Sequence, residues 1–460
     1  MRFMGDYPLS KNQTEVDCVY AILMNCHKYP QLHDEIYCQI IKQTTNNKSP
    51  KQDSCQRGWR LFSILTAYFG CSDNLRPYLL KYLETSAYDK RRPYHAIAMI
   101  CLQNFRKTLK YGGRKNVPSI EEVTAISAGR NSKRQIYRLP GGTERVVNTK
   151  SSTVVADVIE EICEMLGVSN QLETEEFSLY CIIEGDPYTM PLNKDEYILD
   201  ITTELLKNGQ IFYLIFCRSV WFHSLRLDNQ LYIEVIFNQV APDYLEGLLL
   251  VTPDDQLPQD LVPDISRIAA LLHRAADMEH MPTKDEVKYL LPKPVLPMKG
   301  IRPPVWVEMV QQNWSDMAAI TTTEAKAQCL DILQKWLLFG SCFFAVKRIQ
   351  TDSSNHPEFI LALNRNGAHF LDVLTHETIW KYSYSEIIST RKVRAEDGTL
   401  FLDMKCGNLM IQKITRIQTD QAHEISRLIR QYINIQNSGK EVPHDVTLSR
   451  SSAPSHTSHR

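Results

Sequence analysis

Two His-Glu pairs and two Cys/Arg pairs are the places where side-chain chemistry is conceivable in this sequence, and each misses the spacing its chemistry needs. A zincin-type metal site requires two histidines one helical turn apart, with a glutamate after the first. His423-Glu424 is followed by Arg427 where the second histidine would stand, and His376-Glu377 by Trp380. A tyrosine-phosphatase loop places five residues between its cysteine and its arginine, whereas Cys71 to Arg76 and Cys101 to Arg106 have four. No G-x-x-x-x-G-K-[ST] run occurs, so nothing cradles a nucleotide phosphate. The expectation is a chain that is not an enzyme, with no catalytic residue, no cofactor and no metal centre.

Binding is the chemistry that the residues do support. Between Lys81 and Lys115, nine basic residues (Lys81, Lys90, Arg91, Arg92, Arg106, Lys107, Lys110, Arg114, Lys115) stand against two acidic ones, Glu84 and Asp89. That is a strong local excess of positive charge in a chain whose net charge is -1. Lys90-Arg91-Arg92 reads as the opening of a helix, and Arg106, Lys107 and Lys110 recur at one-turn spacing near its far end, so one face presents them together. Such a run is either a solvated face or a site for an acidic polymer or an anionic lipid surface. Aromatic platforms for stacking single-stranded nucleic acid are not evident, and nucleic acid is not an expected partner.

The second surface is a strand edge. Ile387-Ile388-Ser389-Thr390-Arg391-Lys392-Val393 is rich in β-branched residues and is followed by the turn residues Glu396-Asp397-Gly398. Two more strands are expected over Thr399 to Met404 and Asn408 to Ile414. The period then changes to about 3.6, with Ala422, Ile425, Leu428, Ile429, Tyr432 and Ile433 on one stripe and Thr419 or Asp420 as the cap. A helix docked across a small antiparallel sheet leaves a groove beside the last strand, and such edges take extended peptides by main-chain pairing. The candidate peptide-binding residues are Ile387, Ile388, Ser389, Thr390 and Arg391 on the strand, with Ile425, Leu428, Ile429 and Tyr432 on the helix. The competing reading is an edge guarded by its own charges, Arg391, Lys392 and Arg394.

The elements that must position these surfaces can be read in order. Residues 1 to 115 are helical throughout: Thr14-x-x-Asp17 is a capping box, Asp34 caps a second helix, and Ala96 to Leu109 closes the bundle. Val117 to Gly129 reads as a stiff helical connector opened by Ser119-x-x-Glu122. From Arg134 the pattern turns to strands, with a hairpin around Pro140-Gly141-Gly142, a helix over Thr153 to Leu166, and strands at Phe177 to Glu184 and Ile211 to Phe216. Residues 225 to 335 are helical again and carry an acidic stretch, Val240 to Asp264, without Lys or Arg. Phe339 to Ile435 holds seven candidate strands and the closing helix. Asn437 to Arg460, rich in Ser, Thr, His and Pro, is expected to be disordered.

At 460 residues the chain exceeds what one core sustains, so several domains are required. Its twelve cysteines stand singly among apolar neighbours with no C-x-x-C, the pattern of buried thiols in a reducing compartment. No apolar run approaches the ~18 residues of a membrane span, and residues 1 to 15 carry no signal-peptide pattern. A soluble, cytosolic protein is the expectation.

Three ordered blocks carry a resemblance. Arg2-Phe3-Met4-Gly5-Asp6, Asp34 to Thr45 and Arg57-Gly58-Trp59 resemble the signature of the myosin tail homology 4 domain, with His33 where that family has arginine. The first block follows about two earlier helices in the family, so Phe3 and Met4 are expected to have lost covering surface. The order hairpin-helix-strands, helical unit, seven strands plus helix resembles a FERM domain over residues 132 to 436. Phe339-Gly340-Ser341-x-Phe343-Phe344 and Cys406-Gly407-Asn408-Leu409 are most similar to class XV unconventional myosins.

The resemblance implies a multidomain α+β chain. Residues 1-131 would be an N-terminally shortened tail homology domain with its connector. Residues 132-220 would be a ubiquitin-like β-grasp lobe, 221-336 a four-helix lobe like acyl-CoA-binding protein, 337-436 a pleckstrin- or phosphotyrosine-binding-like lobe, and 437-460 a tail. It also implies a cargo-binding tail of an actin-based motor in cell protrusions. The implied partners are cytoplasmic tails of receptors or adhesion proteins, scaffold proteins, microtubules at Lys90, Arg91, Arg92, Arg106, Lys107 and Lys110, weakly held anionic lipid, and the motor domain itself. A motorless membrane-cytoskeleton scaffold, or the tail of a plant-type kinesin, is the alternative with the same modules.

Overall fold

Thr14 starts the first helix. Its hydroxyl accepts from the Asp17 amide at 3.2 Å while the Asp17 carboxylate accepts from the Thr14 amide at 2.7 Å, so two otherwise orphaned N–H groups are satisfied reciprocally. In the computed structural model, which describes residues 1–317, 319–348, 357–407 and 410–438, α1 (Glu15–Lys28) is followed by α2 (Leu32–Thr44), α3 (Ser54–Tyr68), α4 (Arg76–Tyr88) and α5 (His95–Tyr111). α3 is the axis of this bundle, with Trp59, Phe62, Leu65 and Ala67 buried against α2 and α5. Residues 439–460, including nearly all of the expected tail, lie outside the described residues. So do Asn408 and Leu409.

Three local expectations are corrected here. Phe3 and Met4 keep their cover: they are 2% and 1% exposed, with the Arg57 guanidinium over the Phe3 ring and Met4 against Gly58. Asp34 is not an N-cap but lies inside α2, and its carboxylate accepts from the Ser72 amide at 2.8 Å, tying α2 to the loop before α4. Lys90-Arg91-Arg92 does not open α5. It forms the loop before it, because Pro93 and Tyr94 delay the helix to His95.

Ser119 caps the connector α6 (Ile120–Ser127) by accepting from the Glu122 amide, and Val123 and Ile126 enter the bundle core. The connector is therefore part of the first domain's packing.

The β-grasp lobe follows. β1 (Lys133–Arg138) and β2 (Glu144–Thr149) form a hairpin whose turn glycines, Gly141 and Gly142, hold φ of 89° and 81°, a region that side chains avoid. α7 (Val155–Met165) and α8 (Gln171–Thr174) lead to β3 (Phe177–Ile183), β4 (Met190–Pro191), α9 (Ile198–Lys207) and β5 (Phe212–Arg218). The sheet order is β2-β1-β5-β3-β4, with β1 and β5 parallel at its centre. The helical lobe comprises α10 (Gln230–Glu246), α11 (Leu261–Ala275), α12 (Lys284–Leu290), α13 (Pro303–Asp316) and α14 (Thr322–Leu333), arranged around α11, whose apolar stripe Ile265, Ile268, Ala269 and Leu272 is buried. One hydrophobic core runs through both lobes.

The third lobe is a seven-stranded antiparallel sheet: β6 (Cys342–Arg348), β7 (Glu358–Asn364), β8 (Gly367–Leu371), β9 (Thr378–Tyr382), β10 (Ile387–Arg394), β11 (Leu400–Gly407) and β12 (Gln412–Gln418), in the order β10-β11-β12-β6-β7-β8-β9, closed by α15 (Ala422–Ser438). β12 begins later than the sequence suggests, since Gly407, with φ 135°, ends β11 there.

Buried polar contacts bind the three lobes. Arg218 and Glu176 are both fully buried; Arg218 Nε donates to the carboxylate at 2.9 Å and Nη1 to Tyr232 of the helical lobe at 2.7 Å. Arg427 of α15 donates to Tyr180 of the β-grasp sheet at 2.8 Å, and the Trp221 amide donates to Tyr432 at 3.1 Å. Removing one partner of such a pair strands a charge in a dry interior, which fixes the lobes in one arrangement. Among the described residues, no helix is long and apolar enough to cross a membrane.

Candidate functional site

β10 is the outermost strand of its sheet. It pairs with β11 on one side, and among the described residues no strand pairs with the other. A bulge between Ile387 and Ser389 sets Ile387 into the core at 5% exposed and leaves Ile388 at 47%. Ser389, Arg391, Lys392 and Arg394 are exposed, and Thr390 is half-buried beneath α15. The strand residues named from the sequence thus sit on a free edge, except Ile387, which is core.

The helix residues named from the sequence do not line the groove. Ile425, Leu428, Ile429 and Tyr432 are 0%, 1%, 0% and 0% exposed and belong to the core under the sheet. Tyr432 stacks on Tyr384 with ring centroids 4.7 Å apart. The apolar stripe is what fastens α15 to the sheet, so it is spent on folding. The stripe turned toward β10 is the neighbouring one, at helical spacing: His423, Ser426 and Arg430. Ser426 Oγ lies 2.7 Å from Thr390 Oγ1, and Lys392 Nζ donates to His423 Nδ1 at 3.0 Å. Burial and the nearby Lys392, Arg427 and Arg430 charges push the His423 pKa down, so the imidazole is neutral and accepts that proton. Sequence reading missed this stripe because hydrophobicity marks the fastened face of a helix and not the working one.

The basic face is smaller than its sequence. Arg114 is buried, donating to Glu122 at 2.5 Å and Asp200 at 2.9 Å. Lys107 is ion-paired with Asp157 of α7 at the junction of bundle and β-grasp lobe, so it leaves the basic face. Arg106 pairs with Glu84 at 2.8 Å, and Arg91 and Arg92 lie 3.0 and 3.7 Å from Asp89. Lys90, Arg91 and Arg92 stand in one exposed loop, while Arg106 and Lys110 share an exposed face of α5.

The structure adds a cleft of about 1000 Å³ between α1, the connector and α9, lined by Tyr20, Val117, Ile126, Leu199, Glu204 and Leu206 among others. Its walls come from three distant segments, so no local motif announces it. Seven of the twelve cysteines are buried, four are half-buried and Cys38 is exposed; burial pushes the Cys71 thiol up to about 11 and that of Cys101 further up, the opposite of an activated nucleophile.

Residues 19–125 match the family model described as MyTH4 domain. The chain is 36% identical to human unconventional myosin-XV over 97% of its own length and 13% of that protein's. To human unconventional myosin-XVB it is 31% identical over 81% of its length and 11% of that protein's. The solved structure of the human Myosin 7b C-terminal MyTH4-FERM domain in complex with harmonin-a PDZ3 superposes with a TM-score of 0.66 at 22% identity, covering 94% of this chain and 85% of that one. The chain is a MyTH4-FERM tail region of the unconventional-myosin kind. The residues matched to the MyTH4 model run from within α1 to within the connector α6. MyTH4 and FERM are both non-catalytic modules, so the tail is not an enzyme. It spans only a small share of the myosins it matches.

Proposed function

We propose that this MyTH4-FERM tail is the cargo-binding end of an actin-based motor, and that the groove between β10 and α15 takes an extended segment of a receptor, adhesion-protein or scaffold tail. One observation carries the reading: β10 offers an unpaired main-chain edge beside an exposed Ile388 and a polar helix stripe. Strand addition supplies main-chain hydrogen bonds, and flanking side chains supply the selectivity. Arg391, Lys392, Arg394 and Arg430 surround the edge with positive charge, which favours acidic segments. A scaffold partner is consistent with the complex known for the Myosin 7b tail.

The basic loop Lys90, Arg91 and Arg92, with Arg106 and Lys110, makes a second surface for the acidic face of a microtubule, with anionic lipid as a weaker ligand and the motor domain as a further internal partner. The two surfaces support a reading in which the protein works at the cytoskeleton of actin-rich protrusions.

The test is to recover a partner with the full chain, then measure its affinity for Ile388→Glu and Arg430→Glu chains. Loss of an anchor of about 1–3 kcal/mol, roughly five- to 150-fold in Kd, at unchanged Tm is the expected result. Full affinity in both variants, each folded, sinks the groove.

A further inference from the structure

α11 and α12 of the helical lobe converge on three ligating side chains. His273 lies in the last turn of α11 and is 3% exposed, yet among the described residues neither of its ring nitrogens has a hydrogen-bond partner. Its Nε2 points at Glu286 of α12, 3.7 Å from Oε2. His280, from the loop between the two helices, brings its own Nε2 to 3.0 Å from Glu286 Oε1 and sets its ring edge-on to His273 at 5.0 Å. One ligating atom from each of the three residues lies within 4.8 Å of the other two.

Ordinary structure accounts for two of these residues. Glu286 closes the capping box of α12, its Oε2 accepting from the Thr283 amide and hydroxyl at 2.8 Å each, and His280 pairs with it at the surface. It does not account for His273. A buried imidazole facing a carboxylate and a second imidazole, with both nitrogens unsatisfied, lacks a partner at the point where the three converge. Around a tetrahedral zinc ion the ligand atoms stand about 3.3 Å apart, and the observed 3.0 and 3.7 Å straddle that value. Two imidazoles and one carboxylate suit Zn2+ over Mg2+ or Ca2+, which prefer oxygen ligands throughout. The Thr283 donors already hold the carboxylate in place, as outer partners of metal ligands do.

We propose that His273, His280 and Glu286 form a Zn2+ site, with a water as fourth ligand on the exposed side of His280. The ion clamps the C-terminal end of α11 to the N-terminal end of α12 and fixes the loop between them. The test uses the full chain without a histidine tag, stripped by chelator and titrated with Zn2+ by calorimetry and with Co2+ by visible absorption. One ion per chain is expected, with a Tm that rises on Zn2+ addition and a cobalt spectrum free of thiolate charge transfer. His280→Ala, at a position 54% exposed, should lose at least about tenfold in affinity along with the Tm response. Glu286→Gln, which keeps an acceptor for the cap, should do the same. Absence of saturable binding, equal binding by the native and His280→Ala chains, or a thiolate band, which would assign the ion to cysteines, each overturns the site.

Discussion

Arg114 Nε donates to Asp200 Oδ1 at 2.9 Å across the boundary between the MyTH4 bundle and the β-grasp lobe, with the arginine side chain wholly buried. Glu122 of the connector holds the same guanidinium, and the Lys115 amide donates to Asp200 Oδ2 at 2.7 Å. Bundle, connector and first lobe therefore meet at one charge. Asp200→Ala leaves that charge half-partnered, and about 3 kcal/mol of stability should go with it. A lower Tm together with early proteolytic cleavage between Val117 and Gly129 is expected; an unchanged digestion pattern would show that the junction is held elsewhere.

Ile429 and Arg430 are neighbours on α15 with opposite duties. Ile429→Ala opens a cavity under the sheet and should cost about 2–5 kcal/mol, read as a fall in melting temperature. Arg430→Glu leaves the core alone and should change only the affinity for an acidic peptide, more so at low salt. If Ile429→Ala melts like the native chain, the placement of α15 on the sheet is wrong.

On the basic surface, Lys90→Glu with Arg92→Glu should abolish salt-sensitive co-sedimentation with microtubules while the fold stays intact. Lys107→Glu should act differently, since it faces Asp157, whose other oxygen accepts from the Val154 amide at the start of α7. Two carboxylates at the junction repel, so this variant should lower Tm. Binding that survives the loop variant at all salt concentrations would leave that face merely solvated.

Asp243 of α10 gives a pH dependence. Burial raises its carboxyl pKa to about 6, so the folded chain holds a proton there that the unfolded chain releases near 4. The stability from this group is fully present below pH 4 and lost as pH rises through about 6, amounting to at most about 3 kcal/mol at neutrality. Asp243→Asn should raise Tm at pH 7 and leave it unchanged at pH 4. An equal effect at both pH values would remove titration as the cause.

The sequence by itself determined most of the helices and strands, though not the start of α5 or of β12, because capping boxes such as Thr14/Asp17, turn glycines such as Gly141 and Gly142, and changes of hydrophobic period are local signals. It also determined the order of modules and the edge character of Ile387–Val393. Only the tertiary structure decided which apolar residues were spent on folding: Ile425, Leu428, Ile429 and Tyr432 are indistinguishable in sequence from groove residues, and their burial depends on the sheet beneath them. Charge behaved the same way. Arg114 and Lys107 belong to a basic run in the sequence, and distant carboxylates, Asp200 and Asp157, remove them from the surface. His273, His280 and Glu286 fit no short metal motif, since their convergence depends on the packing of α11 against α12 and on the loop that joins them. Local propensity acts over a few residues, whereas burial, ion pairing and metal geometry act between segments that only the folded chain brings together.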